Sequence, residues 1–489
     1  MATENTAIQK KLLSGLLWIL LLNLLIKPFW ILGIEVEVQN AVGTEMYGFY
    51  IGIFNITYIF NILLDLGVTN FNTRNIAQYP KLIVKHLSGI LSIKLMLLVL
   101  YAVVTFSVGA LIGYDSMQFR LLAWLSFNQF LNSLILYLRS NFEGLLLFKW
   151  DSLLSVMDRI LMIVICGTML WGPFDEDITI FKFVYAQTAA YLITALLALM
   201  VLIRKTGFRK LHWNKPFTLA ILKKSLPFAL LVLLMASYNR LDPVLLQLLS
   251  PEGTGDYNAG IYAGAFRLLD ALTMIAYMVS VPLLPIFSKM TKGEETSREL
   301  GDTVQMMFAM VMVFAITAAC ALACRDKELM EVFYNDHADD YAKVFRVVIF
   351  CIIPISTTYV FGTLLTAAGR LKCLNIFAAT SLILNILINI MLIPRWGAVG
   401  SAWAAVSAQT FMAVAQVVAA IKIFNLRPSL SHILKLLFFA LSIVGCSFCM
   451  PHLDWKIVLP VIAIIAIGLA IALQLINIKN IITIIKTEK

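Results

Sequence analysis

The sequence predicts an all-α protein that crosses a membrane about fourteen times, as two six-helix repeats followed by a terminal helix pair. Of its 489 residues, 61% are hydrophobic and only 13% are charged, whereas charged residues make up about 25% of a typical soluble domain. Apolar runs of about 20 residues, each enough for one helix across about 30 Å of hydrocarbon, recur along nearly the whole chain. These observations exclude an ordinary soluble protein.

The fourteen predicted spans follow the apolar runs. They cover residues 12–32, 46–67, 86–112, 119–142, 152–171, 178–203, 225–249, 258–287, 301–323, 344–368, 374–393, 398–421, 436–450 and 457–477. The first run exceeds the 7–15 apolar residues of a signal peptide and is interpreted as a span. Of the 38 Lys and Arg residues, 24 fall on the side of the two termini and five on the other. The positive-inside rule therefore predicts that both termini are cytoplasmic.

The chain repeats itself at an offset of about 213 residues. The first span begins KKLLSGLLW and the seventh KKSLPFALL, while GTEMYGFY before the second span corresponds to GTGDYNAGIY before the eighth. Because each copy holds six spans, both enter the membrane from the same side and are parallel repeats. The predicted parts are a six-helix lobe at 1–203, a basic cytoplasmic linker at 204–224, a second lobe at 225–424, and the terminal helix pair and tail at 425–489.

Charged residues in the middle of predicted spans indicate a polar site. Lys27 of the first span and Arg240 of the seventh are related by the 213-residue offset, and each lies next to or near a proline, Pro28 or Pro243. A charge at the bilayer centre costs at least about 2.5–3.5 kcal/mol, so such residues usually face a partner or a watery cavity. Snorkelling of unrelated side chains toward the interface is the alternative.

Several segments resemble the polysaccharide transporters, the oligosaccharide flippases of the multidrug/oligosaccharidyl-lipid/polysaccharide (MOP) superfamily. The shared features are G-x-x-x-Y-G-x-Y at the start of the second span, D-L-G at its end and a following Arg. Here they are Gly43, Tyr47, Gly48 and Tyr50, then Asp65, Leu66 and Gly67, then Arg74. In the second repeat, Leu226 and Pro227, Asp242, Gly260, Tyr262, Arg267 and Pro282 match.

This resemblance implies a bacterial inner-membrane flippase with the two-lobed fold of drug and toxin extruders. It implies a lipid-linked oligosaccharide on an undecaprenyl diphosphate carrier, as in O-antigen or capsule export, and a cation-lined cavity for the diphosphate. It also implies that the terminal helix pair forms a groove for the lipid tail. Other polysaccharide assembly proteins are expected as partners, and nucleic acid is not.

Candidate residues fall into three groups. The substrate-binding candidates are Lys27, Arg240, Arg267, Asn128, Asn132 and Asn385. The ion-coupling candidates, for a proton or a sodium ion, are Asp242, Asp270 and Asp65. The gate or rim candidates are Arg139, Glu143 and Lys94. Alternatives remain open for most of them: Arg267 and Asp270 could pair along one helix face, Lys94 could snorkel, and the Asn residues could join neighbouring helices.

Two further patterns have more than one interpretation. Asp158 and Arg159 are adjacent and point to different faces of their helix, so either could face an interior site. Tyr47, Tyr50, Phe54 and Tyr58 share one helix face, either as ordinary packing or as flat surfaces for sugars.

No cofactor, metal site or catalytic centre is predicted. The sequence has no G-x-x-x-x-G-K-[ST] nucleotide motif and no recognisable nucleophile and base, so we do not expect an enzyme. A multidrug or toxin extruder of the same fold is the nearest alternative function. A membrane polysaccharide polymerase or ligase is less favoured, because the longest predicted outer connection, residues 324–343, is short for a catalytic domain.

Overall fold

A computed structural model describes residues 22–207 and 233–475, apart from short internal stretches. These stretches are residues 24, 70–71, 74–75, 77–78, 80–82, 146, 173–177, 235, 238–239, 281–282, 292–296, 427–428 and 449–453. The start of the first predicted span, most of the predicted linker, Arg74 and the Leu226–Pro227 pair lie outside the described residues.

The chain divides into two compact units, Met1–Gly260 and Ile261–Lys489. In the first unit, helical residues 25–29 lead into a π-helical turn, Trp30–Ile34. The helices that follow are α1 (Glu35–Val42), α2 (Thr44–Ile59), α3 (Ile83–Ile112), α4 (Ser116–Gly144), α5 (Phe148–Trp171), α6 (Ile180–Thr206), α7 (Asp242–Leu249) and the start of α8 (Gly255–Ser280). Helix α4 packs along α6, with α2 against α4 and α5 against α6.

The second unit contains the rest of α8 and eight further helices. These are α9 (Leu283–Met290), α10 (Ser297–Ala323), α11 (Asp326–Phe333), α12 (Ala338–Val348), α13 (Ile352–Ala367), α14 (Leu371–Phe424), α15 (Leu430–Phe448) and α16 (Trp455–Ala472). Helix α13 packs against both α10 and α14. The terminal helices α15 and α16 pack against each other and against α10.

Eleven helices among the described residues are long and apolar enough to span a membrane, which confirms the multi-pass, all-α prediction. The longest, α14, consists of two helices that meet at Gly397, where φ is 51°, a value that favours glycine. They correspond to the eleventh and twelfth predicted spans. The first and seventh spans are described only in part, so the total of about fourteen stays a prediction.

The second span ends in a broken helix at the D-L-G motif. A 3₁₀ segment, Phe60–Leu64, follows α2, and the next residues include Leu66 at φ 44° and Gly67 at φ 79°. Positive φ is uncommon for a residue other than glycine, so Leu66 marks a constrained turn. The motif therefore ends the helix and leaves its last carbonyl groups available to other partners.

The two span prolines also lie at breaks. Pro28 lies two residues before the π-helical turn, and Pro243 is in the first turn of α7, just after a bend at Leu241. Proline lacks the N–H group that an uninterrupted helix requires. Both breaks lie beside the cations Lys27 and Arg240 that the repeat relates.

Candidate functional site

Four aromatic side chains form a continuous row along α2, as their spacing predicts. The ring centroids of Tyr47 and Tyr50 are 5.4 Å apart, those of Tyr50 and Phe54 5.7 Å, and those of Phe54 and Tyr58 6.1 Å. These distances lie within the range of about 4.5–7 Å at which aromatic rings attract one another. We refer to these four residues as the aromatic row.

Arg240 lies at one end of the aromatic row. Its guanidinium carbon is 5.4 Å from the centroid of the Tyr58 ring, and the side chain is half-buried. A cation over a ring face gains about 0.5–2 kcal/mol, more as water is excluded. Asp242 follows in the first turn of α7 and is buried, a position where the helix dipole favours a carboxylate.

A branch of the same array leads from Tyr50 to a second arginine. Phe183 of α6 meets Tyr50 edge-on at 5.6 Å and stacks on Trp30 at 6.2 Å. The Arg159 guanidinium lies over the Trp30 ring at 5.5 Å. Arg240 and Arg159 therefore lie at two ends of one connected set of aromatic rings, which we call the cation and aromatic array.

Neighbouring polar groups orient Arg159. Its Nε lies 3.4 Å from the Asp158 carboxylate, and its Nη2 donates to the Tyr191 hydroxyl group at 3.5 Å. Lys27 is near enough to Arg159 and Asp158 for their charges to act on it. The sequence left open which of Asp158 and Arg159 faces the interior site, and it is the Arg159 guanidinium that joins the aromatic rings.

Arg139, a gate or rim candidate, is part of a nearby ion pair. Its Nε is 2.7 Å from Asp151 Oδ1 of α5, and Asp151 is almost fully buried. The ion-pair partner of Arg139 is therefore Asp151 of the next helix and not Glu143, the other candidate of this group. The Glu143 carboxylate instead accepts a hydrogen bond from Thr73 Oγ1 at 3.3 Å. A buried carboxylate needs a close cation, which explains why Arg139 turns toward α5.

Arg267 belongs to the second unit and is 5% exposed. Its Nη1 donates to the Tyr334 hydroxyl group at 3.3 Å, and Tyr334 stacks on Tyr341 at 3.9 Å. Gly264, one turn before Arg267, makes room for this pair, because a Cβ there would lie 2.4 Å from the Tyr341 ring. Asp270 is half-buried and near enough to Tyr359 for its charge to act on the phenol.

The asparagine candidates differ in their surroundings. Asn128 Nδ2 donates to Gln187 Oε1 at 3.1 Å, and its Oδ1 accepts from Thr188 Oγ1 at 2.7 Å, so its amide joins α4 to α6. Asn132 is half-buried. Asn385 is buried in α14 and accepts a hydrogen bond from Asn389 at 3.0 Å.

Replacing Asn128 with Leu is expected to destabilise the protein by about 1–3 kcal/mol, because Gln187 and Thr188 would lose a buried partner. The midpoint of thermal unfolding of the purified protein measures this. Asn132→Leu is the matched control and should cost less. An unchanged midpoint together with weaker substrate binding would contradict the structural role of Asn128.

Buried Lys94 forms an ion pair in the first unit with Asp65, whose side chain is 23% exposed. The Lys94 side chain is 1% exposed, and its Nζ lies 2.5 Å from Asp65 Oδ1. Lys94 therefore does not snorkel to a surface, as the sequence allowed, because the broken end of the second span offers its ammonium group oxygen atoms in the interior.

Helices α2 and α8 meet backbone to backbone at equivalent glycines of the two repeats. A Cβ on Gly48 would lie 1.7 Å from the Asp256 carbonyl oxygen, and one on Gly260 would lie 2.1 Å from the Thr44 carbonyl oxygen. Gln247 Nε2 donates to the Gly48 carbonyl at 3.1 Å across this contact. We refer to it as the paired-glycine contact.

A cavity of about 310 Å³ adjoins the paired-glycine contact. Its lining includes Tyr114, Gln118, Val244 and Asp256. Burial, together with the charge of Asp256, raises the pKa of the Tyr114 hydroxyl group well above its usual value, so the phenol stays neutral. By the predicted topology this cavity lies toward the outer side.

Sequence reasoning missed three features of the site. Arg159 gave only an ambiguous signal, since the position of Trp30 across from it depends on tertiary packing. Asp151 gave none. Gly48 and Gly260 were visible as parts of a repeated motif, but their close approach could not be inferred without the fold.

Comparison with known proteins places the chain in a family. Residues 12–291 match the polysaccharide biosynthesis protein family. An uncharacterized membrane protein of Methanocaldococcus jannaschii is 23% identical over 386 residues, which cover 74% of this chain and 86% of that protein.

Solved structures share the fold at low sequence identity. The lipid II flippase MurJ in an inward closed conformation is 13% identical, with a TM-score of 0.69 over 94% of this chain and 97% of that one. An inward-facing multidrug resistance MATE family transporter of the MOP superfamily is 13% identical, with a TM-score of 0.62 over 83% of this chain and 94% of that one. Because the match to the family covers more than half of the sequence, this multi-pass membrane protein belongs to the polysaccharide biosynthesis protein family.

Proposed function

We propose that the protein is a transporter that moves a lipid-linked oligosaccharide from the cytoplasmic to the periplasmic leaflet by alternating access. The observation that carries this proposal is the cation and aromatic array, in which connected rings link Arg240 to Arg159. The array provides charge for an anionic head group, and its half-buried rings, Phe54 and Tyr58, provide flat faces for sugars. The family match and the fold shared with a lipid flippase support the same function.

The arginines are the proposed ligands of the diphosphate. A guanidinium group stays protonated when partly dehydrated and binds phosphate oxygens through two parallel hydrogen bonds. Arg240 and Arg159 have this role in the array, with Lys27 adding positive charge beside Arg159. We propose Arg267 as a further phosphate ligand, which its bond to Tyr334 holds in place.

The terminal helices are the proposed path of the lipid tail. Helix α15 exposes a row of large apolar side chains, among them Leu434, Leu437 and Leu441, which are 56%, 56% and 71% exposed. Exposed apolar surface of this kind suits hydrocarbon chains. We propose that an undecaprenyl chain lies along α15 and α16 while the head group crosses.

We further propose that transport is coupled to a proton or a sodium ion through Asp242 and Asp270. Asp242 is buried and Asp270 is half-buried, and an ion bound beside such a carboxylate alters the local charge strongly at low dielectric. We propose that the protein lies in a bacterial inner membrane with both termini in the cytoplasm.

Reconstitution in liposomes tests the proposed function. The purified protein should move an undecaprenyl-diphosphate oligosaccharide between leaflets, as measured by the fraction of sugar that an added glycosidase can reach. An undecaprenyl monophosphate sugar should cross more slowly, because it presents fewer phosphate oxygens to the arginines. Equal rates with protein-free liposomes would contradict the proposal.

Drug extrusion is the second candidate, because the MATE transporters share the fold. A drug extruder would lower the accumulation of cationic dyes in cells and would leave the lipid-linked sugar in place. Arginines at both ends of the array disfavour this function, since they would repel cationic drugs.

A further inference from the structure

Lys94 places its ammonium group among four oxygen atoms in the interior of the first unit. Its Nζ lies 2.5 Å from Asp65 Oδ1, 2.8 Å from Ser133 Oγ, 3.1 Å from the Leu64 carbonyl oxygen and 3.4 Å from the Ser133 carbonyl oxygen. An ammonium group has three N–H donors. The four oxygen atoms outnumber these donors, and they surround the group as ligands surround a spherical cation.

The broken end of the second span builds this cage. In a continuous α-helix the Val68 N–H would donate to the Leu64 carbonyl. Here it donates to the Asp65 carbonyl instead, at 2.9 Å, which leaves the Leu64 carbonyl free for other donors. The Leu64 oxygen accepts hydrogen bonds from Lys94 and, at 3.2 Å, from Ser133 Oγ. Interrupted helices with freed carbonyl groups are a common way for membrane transporters to coordinate cations.

The carboxylate of the cage is held from its other side. Both Asp65 oxygens accept from the Thr69 N–H at 3.3 Å, and Oδ1 also accepts from the Thr69 hydroxyl group. The only charged oxygen ligand of the cage is thus fixed in place. One carboxylate balances one positive charge, so the cage suits a monovalent cation.

We propose that the Leu64, Asp65 and Ser133 oxygens form a monovalent-cation site that Lys94 fills with its own ammonium group. The first unit then carries a tethered cation where a free potassium or sodium ion could otherwise bind. While Lys94 is in place, Asp65 is closed to a coupling ion. This inference does not depend on the identity of the transported substrate.

Removal of the tethered cation tests the site. Lys94→Ala, purified in detergent, should melt several degrees below the wild type in choline chloride, because the mostly buried Asp65 carboxylate is left without a cation. Potassium, sodium or ammonium chloride at the same ionic strength should restore the midpoint progressively as their concentration rises. The wild type should respond equally to all four salts.

Three further variants make the result specific. Asp65→Asn combined with Lys94→Ala removes both charges, and its midpoint should not depend on the cation. Lys94→Gln keeps a polar side chain in the cage and should also show no selective response. Lys205→Ala removes an exposed lysine of the same unit and should behave as the wild type in every salt.

Two outcomes would overturn the proposal. One is a Lys94→Ala protein whose melting temperature is the same in choline, potassium, sodium and ammonium, or whose response persists when Asp65 is also replaced. The other is a Lys94→Ala protein that fails to fold even in potassium chloride while Lys94→Gln folds, because the added ion should take the place of the ammonium group.

Discussion

Arg240→Ala and Arg159→Ala are each expected to weaken binding of the diphosphate head group about 10- to 150-fold. A hydrogen bond to a charged group contributes about 1.5–3 kcal/mol, and each 1.4 kcal/mol is a factor of ten. Both arginines should matter, since they lie at opposite ends of one connected array. The initial rate of flipping in liposomes, at substrate levels below saturation, measures the loss.

Arg120→Ala is the matched control. Arg120 also lies over an aromatic ring, that of Phe181 at 5.1 Å, and donates to Tyr185, but it is exposed. Its removal should leave the rate unchanged, whereas Arg240→Lys, which keeps the charge but loses the planar fork, should retain an intermediate rate. Normal flipping by both Arg240→Ala and Arg159→Ala would contradict the assignment of the array.

Gly48→Ala is expected to abolish transport by separating α2 from α8. A single methyl group at this position would overlap the Asp256 carbonyl oxygen, at 1.7 Å, and backbone atoms cannot yield as a flexible side chain can. A destabilising effect would be informative, because replacing Gly with Ala inside a helix normally stabilises the protein by about 0.5–1 kcal/mol. Labelling of Val244→Cys, on a background without other cysteines, by an impermeant thiol reagent should increase when Gly48 is replaced.

Gly445→Ala controls for the effect of the methyl group itself. Gly445 lies inside α15, and nothing approaches within 4 Å of its added Cβ, so transport and labelling should match the wild type. If Gly48→Ala transports normally, or if Val244→Cys is labelled no more than before, transport does not depend on the close approach of α2 and α8 at the paired-glycine contact.

Much of the fold follows from the sequence because a bilayer restricts spanning segments to long apolar helices. The predicted spans of 119–142 and 178–203, for instance, correspond to α4 (Ser116–Gly144) and α6 (Ile180–Thr206). The segment 324–343 is harder to predict. Its helix α11 is amphipathic and too short to span a membrane, yet it buries Leu329, while α12 begins a candidate span, Ala338–Ala367, ahead of the predicted start at residue 344.

The site is less predictable, because charges can be located from sequence but their partners cannot. The offset between repeats identified Lys27 and Arg240, and helical spacing identified the aromatic row. Nothing in the sequence places Tyr58 beneath Arg240 or Trp30 beneath Arg159, since these pairs are far apart along the chain. Lys94 shows the same limit, because only the broken end of the second span reveals why it turns inward.

The central claim is that the cation and aromatic array recognises a lipid-linked diphosphate, and direct binding tests it most simply. Affinities for undecaprenyl diphosphate and undecaprenyl monophosphate would be measured for the wild type and for the protein with both Arg240 and Arg159 replaced by Ala. The account predicts a clear preference of the wild type for the diphosphate and no preference in the double variant. Equal affinities in the wild type, or a preference that survives both replacements, would contradict it.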